Sequence, residues 1–346
     1  MLPGLDALRG LAIAGVLWHH ATPRPLAGAV GRGHLGVQLF FAVSGFLITT
    51  LLLREERQAG HIDVARFWLR RALRLWPLYY AVLALFVLFA LAMPAGDPQR
   101  AHFLRSLPFY ATHTANWFVD ARVTHPMLFG FAWSLSTEQQ FYVVWPLLLR
   151  ALKTPPLRVA GLLGLLLLDQ LLERRVGGVS LPRDVFYVLT SFSSSIALGA
   201  LLALTLDSRR GLRTLSWLGS NGGQLLALGL VAAGVLWPPR QFIEFELCLA
   251  ALVVAAALGG PGAPLSWLSR GPLGALGRVS YGVYLLHVPI LGALRLLAPP
   301  LREAPLALFT LGLPLCWALG ALSQRGFEAR FLALKPRPQA PGSALS

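Results

Sequence analysis

Apolar residues in this chain fall into long runs that are separated by short polar and basic segments. A membrane-spanning helix needs about 20 mostly apolar residues, and windows of that kind predict about ten spans. These windows cover residues 5–21, 35–53, 76–93, 131–149, 157–172, 185–206, 223–237, 242–259, 274–297 and 305–323. The pattern therefore predicts an all-α, polytopic integral membrane protein.

The first window carries ionisable side chains, which are costly inside a membrane and mark a functional site by default. Eleven helical positions from Arg9 to His20 turn about 1100° and rise about 16 Å. Both side chains therefore lie on one face of the helix, at different depths. His19 points about 100° away from that face, so we expect it to be a neighbour of the reactive group. The spacing suits an anion-binding group near one membrane surface and a reactive imidazole about three turns deeper.

Composition excludes an ordinary soluble domain. The chain is 55% hydrophobic and 13% charged, with a mean hydropathy of +0.61, whereas soluble domains carry about 25% charged residues. A net charge of +15 would suggest nucleic acid as the partner of a soluble protein. In a membrane protein the better interpretation is that basic residues face anionic lipid headgroups. We therefore expect membrane lipids, and no nucleic acid, among the partners.

The basic residues also predict an orientation. With the N-terminus in the cytoplasm, eighteen Lys and Arg residues fall on inside segments and eleven on outside segments, which favours an N-in/C-in topology. Residues 66–74 alternate arginines and aromatics at helical spacing, which indicates a separate amphipathic helix on the cytoplasmic surface. The Pro/Ala/Ser-rich residues 335–346 are predicted to be a disordered tail, which leaves residues 1–334 as one transmembrane domain.

Residues 94–130 form the longest predicted outside loop and mix polar and aromatic side chains. Such a mixture suits contact with a sugar, but an irregular connecting loop explains it equally well. The side chains concerned are His102, His113, Asn116, Trp117 and His125.

Five short segments, in order from end to end, carry a common pattern of reactive, small and aromatic residues. They are residues 5–9 with His20, residues 36–48, residues 70–77, residues 133–142 and residues 277–287. In these segments the chain resembles membrane acyltransferase family 3, the O-acyltransferases that modify extracytoplasmic glycans and some small molecules. Gln38 and Gln139 stand where relatives often carry acidic residues, so no role is transferred to those two positions.

The resemblance implies that His20 carries out acyl transfer. An imidazole either takes up the proton of a hydroxyl group or accepts the acyl group itself, and the sequence leaves both roles open. Arg9 keeps its charge and needs an anionic partner. That partner is either Asp6, on the same side of the helix, or the phosphates or thioester of an acyl-CoA.

Arg71 and Arg74 precede the third predicted span, and planar guanidinium groups suit phosphate. They are assigned to the phosphates of cytoplasmic acyl-CoA, with lipid headgroups as the alternative ligand. Glu138 is the only carboxylate in its window, so it must be protonated, paired or exposed to a polar cavity. We expect it to take part in catalysis by orienting His20, or to pair with Arg9 or Arg74.

The remaining matches to the family pattern are assigned to substrate binding, although serines also pack well between spans and tyrosines anchor helices at the membrane interface. These residues are Ser44, Trp133, Ser134, Ser136, Tyr142 and His287.

The sequence therefore predicts a membrane O-acyltransferase. It would move an acyl group, most often acetyl, from cytoplasmic acyl-CoA as cosubstrate to a hydroxyl of a surface glycan, glycolipid or similar acceptor. No metal or permanently bound cofactor is expected, and a bacterial cytoplasmic membrane is the expected location. The alternative is a transporter or proton-coupled carrier, because intramembrane His, Arg and Glu also form proton relays.

Overall fold

The computed structural model describes residues 3–22, 29–119, 123, 127–173, 182–190, 193–237 and 242–336. Every regular element within these residues is helical, which confirms the all-α class. The α-helices are α1 (Pro3–Ala21), α2 (Leu35–Ala59), α3 (Val64–Ala92), α4 (Pro98–Ala111), α5 (Ala115–Phe118), α6 (Ala132–Ala151), α7 (Pro155–Glu173), α8 (Arg183–Leu189), α9 (Ser194–Asp207), α10 (Arg209–Leu215), α11 (Asn221–Leu236), α12 (Phe242–Leu258), α13 (Pro264–Leu268), α14 (Pro272–Arg278), α15 (Ser280–Leu297), α16 (Pro305–Ser323) and α17 (Ala329–Leu332).

Several of these helices are long and apolar enough to cross a membrane. In the described residues five meet that condition by length and composition, or six if α10 and α11, which meet at 77°, form one broken span. The five are Arg32–Ala59, Val64–Ala92, Pro155–Leu172, Ser280–Leu297 and Pro305–Leu332. Each predicted window contains helical residues, but residues 185–206 include parts of α8 and α9, and residues 274–297 include parts of α14 and α15. The number of ten spans and the N-in/C-in orientation stay predictions.

The start of α3 corrects one prediction. Residues 66–74 do not form a separate surface helix, because α3 runs without interruption from Val64 to Ala92 and continues through Pro77. Asp63 caps this helix by accepting a hydrogen bond from the backbone N–H of Arg66 at 3.0 Å, an arrangement worth about 1 kcal/mol. The arginine-rich segment is thus the first part of a candidate span.

The helices divide into two compact units, residues 1–51 with 194–329 and residues 52–193 with 330–346. The first unit has its core around α12, in which the five consecutive residues from Leu252 to Ala256 are all buried. The same helix carries the buried Glu246, whose carboxylate accepts a hydrogen bond from the hydroxyl of Ser195 at 2.9 Å. Helix α1 packs on α14 backbone to backbone, since a Cβ atom at Gly277 would lie 1.8 Å from the carbonyl oxygen of Asp6.

The second unit, residues 52–193 with 330–346, has an aromatic core. Phe129 lies at its centre, with ring centroids 5.0 Å from Phe86, 5.2 Å from Tyr110 and 4.8 Å from Phe131. Offset and edge-on ring pairs of this kind add about 0.5–1.5 kcal/mol each beyond the area that they bury.

An ion pair between the buried Arg158 and the half-buried Glu56 fixes the start of α7 in the same unit. The guanidinium of Arg158 donates to both carboxylate oxygens of Glu56, at 2.7 and 2.6 Å. It also donates to the carbonyl oxygens of Leu149 and Leu152 at the end of α6. Because this charge is desolvated, its hydrogen bonds to the carboxylate and carbonyls are needed to offset the cost of burial.

Candidate functional site

His20 lies in the last turn of α1, and Arg9 belongs to the same unbroken helix. The helical relation that the sequence predicts between these two residues is therefore present. The ring nitrogen Nδ1 of His20 lies 3.0 Å from the carbonyl oxygen of Val16. Because a carbonyl oxygen only accepts, Nδ1 carries the proton and Nε2 has the lone pair. Nε2 is thus the atom of His20 that can act as a base or a nucleophile.

Helix α15 supports His20 through two side chains. The ring of His287 lies edge-on to the ring of His20, with centroids 4.6 Å apart. Two turns further along α15, the Nη2 atom of Arg295 donates to the His20 carbonyl oxygen at 2.5 Å. Carbonyl groups at the end of a helix lack intrahelical partners, and a cation is favoured there by the helix dipole. Arg295, which sequence analysis missed, therefore anchors the end of α1.

His287 is completely buried. Its Nδ1 atom donates to the carbonyl oxygen of Tyr284, and the two rings are 5.4 Å apart. The structure thus gives His287 a packing position against His20, and its assignment to substrate binding stays a prediction.

His19 and His34 extend the same group of imidazoles. The ring of His19 lies 5.3 Å from that of His20 and 5.3 Å from that of His34. His34 is the last residue of the 3₁₀ turn Ala29–His34. The sequence did not single it out as a site residue. Among the described residues, no group of three or more His, Cys, Asp or Glu side chains is arranged to hold a metal ion.

Arg9 and Ser44 are half-buried in the first unit. Next to Ser44, a Cβ atom at Gly45 would lie 2.1 Å from the carbonyl oxygen of Ile196 on α9. The small residues of α2 therefore serve close helix packing, which is the alternative to substrate contact that the sequence allows at Ser44. The anionic partner of Arg9 and any contact of Ser44 with substrate stay predictions.

In the second unit, basic side chains gather at the start of α3. The guanidinium of Arg71 lies 5.5 Å from the ring centroids of Phe67 and of Tyr142, and it interacts electrostatically with Arg70 and Arg74. Stacking on aromatic rings holds a guanidinium in a defined plane. Arg71 therefore presents an ordered positive charge.

Lys335 adds a fourth cation to this basic cluster. Burial and the positive charges of Arg74, Arg71 and Arg70 lower the pKa of Lys335 to about 8. Arg70 also donates to the carbonyl oxygen of Pro336 at 3.4 Å. Lys335 was assigned by sequence to the tail, and only its position beside α3 reveals the contact. Residues 337–346 of the predicted tail lie outside the described residues.

Glu138 is the acidic member of the same unit. It accepts a hydrogen bond from the hydroxyl of Tyr142 one turn along α6, and it acts electrostatically on Arg71. The indole N–H of Trp68 donates to the carbonyl oxygen of Tyr142 at 3.1 Å and fixes α6 against α3. The lone carboxylate thus has the polar surroundings that its place in an apolar window requires. Its predicted action on His20 stays a prediction.

The other predicted residues of α6 differ in exposure. Trp133 is 43% exposed, while Ser134 and Ser136 are buried. The hydroxyls of these serines donate to the carbonyl oxygens of Phe131 and Ala132, each at 3.1 Å. Both serine hydroxyls are therefore hydrogen-bonded to the backbone of nearby residues. Their contact with substrate stays a prediction.

Where the structure describes residues 94–130, the predicted outside loop is mostly helical, because α4 and α5 lie in it. His102 and His113 are buried, and the side-chain amides of Asn116 and Gln140 bond reciprocally at 2.8 and 3.0 Å. Neither an irregular loop nor a fully exposed polar surface describes these side chains, and contact with a sugar stays a prediction. Trp117 is half-buried, and His125 lies outside the described residues.

His113 has an unusual setting. Its φ angle of 54° is in the left-handed region, and its ring lies 4.3 Å from that of Tyr79 and 5.9 Å from that of Tyr80. Neither ring nitrogen has a hydrogen-bond partner among the described residues. Burial lowers the pKa of His113 to about 4, so the imidazole is neutral at physiological pH.

A family model described as an acyltransferase domain matches residues 2–322. The chain is 29% identical over 351 residues to the putative peptidoglycan O-acetyltransferase YrhL of Bacillus subtilis (strain 168). The aligned region covers 91% of this chain and 51% of that protein. It is 28% identical over 315 residues to the peptidoglycan O-acetyltransferase OatA of Listeria monocytogenes, covering 84% of this chain and 49% of the relative.

A putative O-acetyltransferase of Staphylococcus aureus (strain COL) is 35% identical over 154 residues, which is 43% of this chain and 24% of that protein. The chain thus spans about half the length of the first two relatives. No solved structure matches it.

Proposed function

We propose that this chain, which belongs to membrane acyltransferase family 3, moves an acetyl group from cytoplasmic acetyl-CoA to a hydroxyl of a cell-wall glycan. The observation that carries the proposal is the family match over residues 2–322, which contains His20, Arg9, Arg71, Arg74 and Glu138. Two relatives are named as peptidoglycan O-acetyltransferases, and they supply the class of acceptor. The apolar helices agree with an integral membrane protein, and a bacterial cytoplasmic membrane follows from the proposed donor.

His20 is the proposed reactive group. Its Nδ1–H is held by the Val16 carbonyl, so Nε2 is available to remove the proton of the acceptor hydroxyl or to attack the thioester. A positioned imidazole base contributes about 10²–10⁴-fold to such a reaction. Arg9, about three turns away on the same face, is the proposed partner of the negative charge on the donor.

The basic cluster of Arg70, Arg71, Arg74 and Lys335 is the proposed site for the phosphates of the donor. Four cations repel one another, and the lowered pKa of Lys335 reflects that cost together with burial. A phosphate group removes the cost, because charge-assisted hydrogen bonds from guanidinium groups to phosphate are among the strongest in proteins. The aromatic rings beneath Arg71 keep its planar group ready for such a ligand. Glu138, held by Tyr142, is proposed to set the charge balance of this cluster.

The test uses the purified full chain in detergent with acetyl-CoA and a GlcNAc–MurNAc disaccharide acceptor. Release of free thiol and mass spectrometry of the disaccharide measure the transfer. We expect acetylated product from the wild type and none above background from His20→Ala. Flux of a solute without release of thiol would contradict the proposal and favour the carrier alternative, which none of the named relatives supports.

The donor site has its own test. Arg71→Ala should raise KM for acetyl-CoA by about tenfold, the equivalent of about 1.4 kcal/mol, whereas the exposed Arg150→Ala should leave KM unchanged. With S-acetylpantetheine, which lacks the nucleotide phosphates, Arg71→Ala should have no effect. An equal effect with both donors would assign Arg71 to a structural or lipid-binding role.

A further inference from the structure

Three imidazoles form a continuous series in the first unit. The rings of His20 and His19 are 5.3 Å apart at an interplanar angle of 87°, and those of His19 and His34 are 5.3 Å apart at 64°. The ring centroid of His20 lies 4.6 Å from that of the fully buried His287. Exposure rises along the series, because His20 and His19 are half-buried and His34 is exposed. The series thus connects the proposed reactive residue with the surface of the unit.

The backbone brings His34 to His19 by a close approach that only glycine permits. A Cβ atom at Gly33 would lie 1.8 Å from the carbonyl oxygen of Gly15 and 3.0 Å from the Cβ atom of His19. The 3₁₀ turn that ends in His34 therefore rests directly on α1, one turn before His19. Any larger residue at Gly33 would push this turn away and separate the two rings.

A group of neighbouring imidazoles can bind a metal, pack as rings or carry protons. The first use is not indicated, because the described residues include no metal-binding arrangement of three or more such side chains. Simple packing does not require a ring with two titratable nitrogens at every position. An imidazole takes up a proton at one ring nitrogen and releases one from the other, and its ordinary pKa lies close to neutral pH. Series of ionisable groups in membrane proteins serve as proton relays.

We propose that His19 and His34 relay protons between His20 and water. The inference rests on the proposed function for its chemical purpose. As the acceptor oxygen bonds to the acyl carbon and the carbon–sulfur bond breaks, the hydroxyl proton moves to Nε2 of His20. The coenzyme A thiolate takes its proton from water. His20 then returns its proton to water through His19 and His34, so that the net reaction forms only the ester and the free thiol.

The first test does not depend on acyl transfer. In the purified, ¹⁵N-histidine-labelled full chain, NMR relaxation dispersion at the Nε2 resonance of His20 measures the rate at which this nitrogen exchanges protons with water. We expect His19→Phe and His34→Phe to slow this exchange at least tenfold, and the variant of the exposed His61, His61→Phe, to leave it unchanged. An unchanged position of the His20 resonance shows that the site has kept its structure. Unchanged exchange in either relay variant overturns the proposal.

The second test measures turnover. His34→Phe should lower kcat by about tenfold, a smaller loss than the ~10²–10⁴-fold contribution of a general base, and millimolar imidazole in the buffer should restore it. KM for acetyl-CoA should not change. A loss that imidazole does not restore indicates a structural role and contradicts the relay. If the wild type forms no acetylated product, the proposed function fails, while the exchange measurement still decides the relay.

Discussion

Acidification should destabilise this protein through one buried side chain, His113. In the unfolded chain its imidazole takes up a proton near pH 6.5, whereas in the folded protein burial lowers the pKa to about 4. Between these pH values the unfolded state binds more protons, so the free energy of unfolding falls as the pH is lowered. The difference corresponds to about 3 kcal/mol at 1.36 kcal/mol per pH unit. No stability is lost from this group above pH 6.5, and the loss is nearly complete at pH 4.

The variant His113→Asn isolates this contribution. Asparagine tolerates the φ angle of 54° at this position and does not titrate. Thermal unfolding in detergent, followed by intrinsic fluorescence at pH 7.5 and pH 4.5, should show that Tm falls by several degrees less in the variant than in the wild type. The variant His61→Asn removes an exposed histidine and should behave like the wild type. An equal fall of Tm in the wild type and in His113→Asn would refute the reasoning.

Three further substitutions test other contacts. Arg158→Ala removes the hydrogen bonds of its buried guanidinium to Glu56 and to two carbonyl oxygens, so the free energy of unfolding should fall by about 1.5–3 kcal/mol, measured as a lower Tm. Gln140→Leu removes a reciprocal amide pair and should cost about 2–3 kcal/mol, measured in the same thermal assay. Arg295→Gln should lower kcat without raising KM for acetyl-CoA, because the anchor of the His20 carbonyl is lost, and Arg295→Lys should restore part of the rate.

The helical class was predictable because the driving pattern is local. Long apolar runs require helices in a membrane, since every backbone polar group must then be satisfied within the segment. The relation between Arg9 and His20 was predictable for the same reason, because it depends only on the pitch of one helix. The prediction of a separate surface helix at residues 66–74 was wrong. In sequence, a change from polar to apolar residues along one helix looks the same as the end of one helix and the start of another. Only the unbroken backbone from Val64 to Ala92 distinguishes the two.

Lys335 and His34 could not be found in this way. The first approaches Arg70 and Arg74 from the far end of the chain, and the second reaches His19 because two glycines allow their backbones to touch. Neither contact has a spacing or a motif in the sequence. The left-handed backbone of His113 is equally hidden, because no glycine or asparagine marks the turn.

His20 shows where local reasoning ends. Its tautomer is set four residues away by the carbonyl of Val16, an interaction that any helix of this sequence would offer. Its position, by contrast, depends on Arg295 and His287, which reach it from α15 more than 250 residues later. A helix end carries carbonyl groups that need partners, so the sequence does predict that something must bind there. It cannot predict which cation does so, because that choice is made by the packing of α15 and not by α1.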